Sequence, residues 1–130
     1  PAPGRRPERT GSLLRALGGA GRGGSMCHCA GGRGRAGIIA LALERIAGGE
    51  PEAGVGDYRV GGDNAPALLA CSGGPSNEAK IEALCAEHGT TVAGAFRAAL
   101  DGFDVVRFVE RSGLDDADLE ALRTFRADVA

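Results

Sequence analysis

The chain has no tryptophan, one tyrosine, four phenylalanines, two histidines and a single methionine in 130 residues. With aromatics at 4% and no basic stripe between them, single-stranded nucleic acid finds no stacking platform, so nucleic acid is not expected as a partner. No run reaches the roughly 18 apolar residues that cross a bilayer. The leading "SLLRALGGAG" is too short, and too interrupted by Arg15, for a secretory core. The expectation is a cytoplasmic chain with no membrane span. Four cysteines (27, 29, 71 and 85) make no dense disulfide framework and are expected as thiols, Cys71 and Cys85 serving as small buried hydrophobes. Cys27, His28 and Cys29 are metal-ligating types, but neighbours on a strand face opposite ways and no second pair follows at zinc spacing. No metal and no cofactor are expected.

What is present is glycine (23 residues), 43% apolar content, and an uneven charge distribution. Net charge is −2, yet residues 1–47 carry eight arginines against Glu8 and Glu44, whereas residues 48–130 carry seven basic residues against fifteen acids. The cationic end also holds the glycine-rich run, which favours an anionic ligand there. The length suits one domain. "PAPGRRPERTG" has no periodicity, so residues 1–10 are expected as a disordered basic arm and 11–130 as a single domain. A start at Pro1 with the sole methionine at Met26 raises the expectation of a processed product or fragment, and hence of a partial domain.

Along the chain, "SLLRALGGA" suggests a short helix, and "SMCHC" (25–29), brief and flanked by glycines, a short buried strand. "IIALALERIAGG" is apolar almost all round and stops at Gly48, as a core helix does. Residues 51–74 begin at Pro51 but are loosened by glycine, predicting short helices and a loop. "SNEAKIEALCAEHG" predicts a helix capped by Ser76, with Ile81, Leu84, Cys85 and His88 along one face and Gly89 as its stop. His88 is expected as a helix C-terminal or core histidine. Another helix follows through Val92, Ala95, Phe96, Ala99 and Leu100, and "DVVRFVERSG" fits helix or strand. The last helix has Asp115 as N-cap, Asp118 at its third position, and Leu114 with Leu119 as a hydrophobic staple. The expected class is α/β: a short parallel strand and an anion-binding loop, then mostly helices, with an incomplete sheet.

The loop joins these elements chemically. Between Cys29 and Arg35 lie Ala30, Gly31, Gly32, Arg33 and Gly34, a Cys-x5-Arg spacing. Glycines let successive N–H groups turn inward round an anion, and a helix starting near Arg35 points its positive end at the same place. A thiol in that field has its pKa lowered from about 8.5 toward about 3.5–7.5, which makes it a nucleophile at neutral pH. Arg35 can offer two parallel N–H donors to phosphate oxygens. Together these residues suit phosphoryl transfer through a phosphocysteine, with Arg33 solvated or lending charge at the loop's rim.

His28, Cys29, Gly32, Gly34, Arg35 and Gly37 fall on the signature of the cysteine-dependent protein tyrosine phosphatases, which the chain resembles over roughly residues 10–126. The likeness is to the bacterial tyrosine phosphatase family with HCxxGKDRTG-like loops, followed by a hydrophobic helix and an Asp-Tyr dipeptide, here Asp57 and Tyr58. The C-terminal "HGTTVAGAF" and "SGLDDADLEALR" are also similar to that family's helices. The resemblance implies a nucleophile at Cys29, a phosphate cradle of residues 30–35, supporting roles for His28 and Asp57, and a phosphotyrosine protein or other phosphomonoester as substrate. Tyr58 and Asp57 are expected to hold the loop's surroundings, and Asp63 is the other nearby acid weighed as a proton donor. Where the family commonly has Asp the chain has Gly34, and where it has Ser or Thr the chain has Ala36. The alternative is therefore a catalytically weak or inactive phosphate-binding remnant, and a rhodanese-like sulfur transferase ranks third.

Overall fold

Helices account for every regular element that the computed structural model describes, over residues 6–21, 25–29, 33–74 and 77–125. In chain order they are α1 (Pro7–Gly18), α2 (Arg35–Ala47), α3 (Pro51–Ser72), α4 (Glu78–Glu87), α5 (Val92–Asp101), α6 (Val105–Ser112) and α7 (Asp116–Thr124). Local chemistry explains most of their ends. Pro7 and Pro51 occupy first-turn positions where a missing N–H costs nothing. Thr91, Asp104 and Asp115 each accept a backbone N–H at the start of α5, α6 and α7, and Asp115 with Asp118 completes a capping box. Gly48 ends α2 at φ 70°, a left-handed conformation that costs a side-chain-free residue little.

The expected α/β class is overturned: no strand occurs among the described residues. Residues 25–29 carry no regular structure, and Ser25 to His28 are exposed. A strand is stable only when its N–H and C=O groups meet a neighbour's, and no described segment supplies one. Helix α1 begins at Pro7, within the stretch 1–10 expected as an arm; residues 1–5 lie outside the described residues. Residues 51–72 form one helix of 22 residues, not short pieces, although it contains Pro66. Burial of Gly54, Val55 and Ala65 along it outweighs the weak propensity of its glycines. Helix α4 begins at Glu78 with Asn77 as N-cap, the expected cap Ser76 lying outside the described residues, and buries no residue. Cys71 is exposed and Cys85 only half-buried, so neither is the small core residue expected.

Two apolar clusters share α2. The first joins Leu14 of α1, Ile39, Ala42 and Ile46 of α2, Phe108 of α6, Leu114, and Leu122 of α7. The second joins Leu41 of α2, Val55 of α3, and Phe96 and Leu100 of α5. Leu14, Ala42 and Leu100 are wholly buried. The nearly all-round apolar character of α2, visible in the sequence, thus reflects packing on both sides. It also anchors the residues immediately before α2.

Candidate active site

Cys29 is half-buried at the end of the irregular segment, and Arg35 is the first residue of α2, with Gly34 as its N-cap. Ala30, Gly31 and Gly32 lie outside the described residues. The first turn of α2 contains no acid, so nothing there offsets the positive end of its peptide dipoles or the Arg35 charge. Arg35, Gly34 and His28 are exposed and Ala36 is half-buried. His28 and Cys27, with Met26, Leu13 and Leu17, line an open cleft of about 450 Å³ between the irregular segment and α1.

Arg33 behaves differently from the solvated rim residue expected. Its side chain is only 11% exposed. One terminal nitrogen donates to the backbone carbonyl of Tyr58, and the other reaches the Glu78 carboxylate at 3.0 Å. The guanidinium carbon lies 4.1 Å from the centre of the Tyr58 ring, a cation–π contact. In return the Tyr58 hydroxyl donates to the Arg33 carbonyl at 3.4 Å. Tyr58 is stacked on Phe96 with centroids 4.2 Å apart and planes 9° from parallel. Small residues make this closeness possible: a Cβ at Gly37 would stand 3.0 Å from the Tyr58 ring, and one at Gly62 3.0 Å from an Arg33 nitrogen. The loop's C-terminal stem is thereby tied to α3, α4 and α5 at once.

Just beyond the first cluster's Ala42, the Glu44 carboxylate faces the start of α3 so closely that a Cβ at Gly54 would overlap it. Burial pushes its pKa above the usual carboxylate range, the Gly54 N–H works against burial, and the nearby Asp57 charge adds to it. Asp57 and Asp63 are themselves exposed on α3. His88 caps the end of α4, its Nδ1 2.9 Å from the Leu84 carbonyl, in keeping with a helix C-terminal histidine. Among the described residues no group of three or more His, Cys, Asp or Glu side chains converges as a metal site. Tyr58 was legible through the Asp-Tyr dipeptide; Phe96 was marked only as an apolar helix position and Glu78 not at all, because only folding brings α4 and α5 against α3.

A family model described as the tyrosine phosphatase family matches residues 4–125, a span that includes the seven described helices and the Cys-x5-Arg run. The chain belongs to that family. No curated protein and no solved structure matches it. The family points to phosphatase-type chemistry on phosphoesters. No helix among the described residues is long and apolar enough to cross a membrane.

Proposed function

We propose that this chain hydrolyses phosphomonoesters, phosphotyrosine in proteins among them, through a phosphocysteine at Cys29. The Sγ thiolate attacks phosphorus, the P–O bond to the leaving group breaks, and the departing oxygen takes up a proton. Water then attacks the phosphocysteine, the S–P bond breaks, inorganic phosphate leaves and the thiolate is restored. Arg35, with backbone N–H groups of residues 30–35, meets the charge spread over the phosphoryl oxygens. The observation that carries this reading is the bracketing of the loop: half-buried Cys29 at one end, and at the other an exposed arginine opening a core helix with no acid in its first turn. The thiols at Cys27, Cys71 and Cys85 suit a reducing compartment such as the cytoplasm.

A second reading, phosphate binding without turnover, is favoured by Gly34 and Ala36, which lack the carboxylate and hydroxyl common in the family. Para-nitrophenyl phosphate separates the two. Hydrolysis should fall to background in Cys29→Ser and by about 10²-fold or more in Arg35→Lys, which keeps charge but loses the paired donors. Vanadate binding by a parent chain that hydrolyses no faster than Cys29→Ser would establish the second reading instead.

A further inference from the structure

We propose that Arg33 and Tyr58 form a positioning pair, locked by Glu78, that fixes the backbone at Arg33 and with it the first turn of α2, where Arg35 stands. The inference rests on the assignment of Cys29 and Arg35 as nucleophile and phosphate-binding residue. A loop that grips an anion through N–H groups must keep its carbonyl dipoles turned away from the anion. Arg33 sits two residues before Arg35, and its carbonyl accepts from the Tyr58 hydroxyl. The guanidinium returns the contact to the Tyr58 carbonyl, so each residue's side chain holds the other's backbone. Neither partner can drift: Phe96 stacks on the Tyr58 ring, and Glu78, itself only 17% exposed, pairs with Arg33.

Arg33 is therefore not a substrate ligand. A guanidinium meant to meet an incoming phosphate stays accessible, as Arg35 does, whereas both terminal nitrogens of Arg33 are engaged and its Nε is buried without a hydrogen-bond partner. Leaving the clamp would strip a two-pronged, partly desolvated contact. Arg33 acts through backbone geometry.

The test uses the full chain, three conservative variants and the truncation Arg33→Ala. Tyr58→Phe removes one hydroxyl and keeps the stack, Glu78→Gln removes a charge and keeps the shape, and Arg33→Lys keeps charge but loses the planar fork. Four quantities are read: orthovanadate affinity, the pH dependence of Cys29 alkylation by iodoacetamide, para-nitrophenyl phosphate turnover, and the thermal midpoint. Tyr58→Phe and Glu78→Gln should weaken vanadate about fivefold to tenfold, the scale of one hydrogen bond, and move the Cys29 alkylation profile to higher pH. Arg33→Lys should fall between the parent and Arg33→Ala in both. Parental vanadate affinity and alkylation profiles in all variants overturn the proposal, even if thermal midpoints drop, because a merely structural role moves only the midpoint. If the parent turns over no faster than Cys29→Ser while alkylation profiles still shift among the variants, the clamp stands and the phosphatase assignment falls. Normal turnover with unshifted profiles leaves the phosphatase assignment standing and removes the clamp.

Discussion

Arg33 and Arg35 are two positions apart and have opposite surroundings. Arg35 is exposed at the mouth of α2, while Arg33 is folded under Tyr58 and Glu78. Sequence spacing alone marks Arg35, since Cys-x5-Arg specifies one arginine, but it leaves Arg33 to be read as rim charge. Between them Gly34 has φ −84° and nothing within 4 Å of a Cβ, so a side chain is accommodated there without strain. That makes a clean chemical experiment available. Alanine at 36 cannot donate a hydrogen bond to sulfur as it leaves the phosphocysteine, a contact to a charged group worth about 1.5–3 kcal/mol, or roughly 10- to 150-fold in rate. The parent should show a burst of product followed by slow turnover, with phosphocysteine trapped by rapid quench. Gly34→Asp with Ala36→Thr should raise the steady-state rate by that factor without lowering the thermal midpoint. A parent with no burst and a double variant with no gain would mean that the loop binds phosphate and never turns it over.

At the scale of elements, close approach between helices gives a pair of opposed predictions. A Cβ at Gly11 would strike the backbone and side chain of Ser112, where α1 crosses α6, so Gly11→Ala should cost about 1–3 kcal/mol by forcing the helices apart. In α3, Gly56 is exposed with nothing near, and Gly56→Ala should add up to about 1 kcal/mol of helix propensity. Chemical denaturation of the two variants measures both. Two carboxylates should give stability opposite slopes with pH. Burial, opposed by the Gly54 N–H, raises Glu44 above its ordinary 4.5. The folded chain then binds that proton more tightly than the unfolded one, so the stability it contributes is complete below 4.5 and lost as pH rises through the raised value. The Asp115 N–H, helped by Arg15, holds Asp118 below its ordinary 3.8, so its contribution is present above 3.8 and lost as pH falls through the lowered value. Thermal midpoints taken from acid to neutral pH should show Glu44→Gln flattening the decline toward neutrality and Asp118→Asn flattening the decline into acid.

Across the whole molecule, α2 is the shared wall of both clusters, and α4 contributes no residue to either. Stability should be graded accordingly. In native-state hydrogen exchange the amides of α4 should open first and those of α2 last; protection of α4 equal to that of α2 would contradict the two-cluster architecture. Leu100 is wholly buried in the second cluster, so Leu100→Ala should cost about 2–5 kcal/mol, a large share of the roughly 5–15 kcal/mol typical of a domain. Because Phe96 belongs to that cluster and stacks on Tyr58, loosening it should also reach the loop through Arg33. Vanadate affinity measured on Leu100→Ala under conditions where it remains folded should fall.

The sequence by itself determined whatever depends on near neighbours: the capping box at Asp115 and Asp118, the core character of α2, its stop at Gly48, and the spacing from Cys29 to Arg35. Those features are local because hydrogen bonds and periodicity within a turn or two suffice to define them. Tertiary structure decided the rest. Residues 25–29 alternate like a strand but have no described partner to pair with, so they form none. Residues 51–72 hold six glycines and prolines that argue for breaks, yet burial against α2 and α5 keeps them one helix. Arg33 was solvated by any local rule until Tyr58 and Glu78, 25 and 45 residues away in the chain, closed round it, with Phe96 stacked behind Tyr58. Pattern reports which side chains want burial; only packing chooses the partners, because contact energies depend on distances in space that sequence separation does not encode.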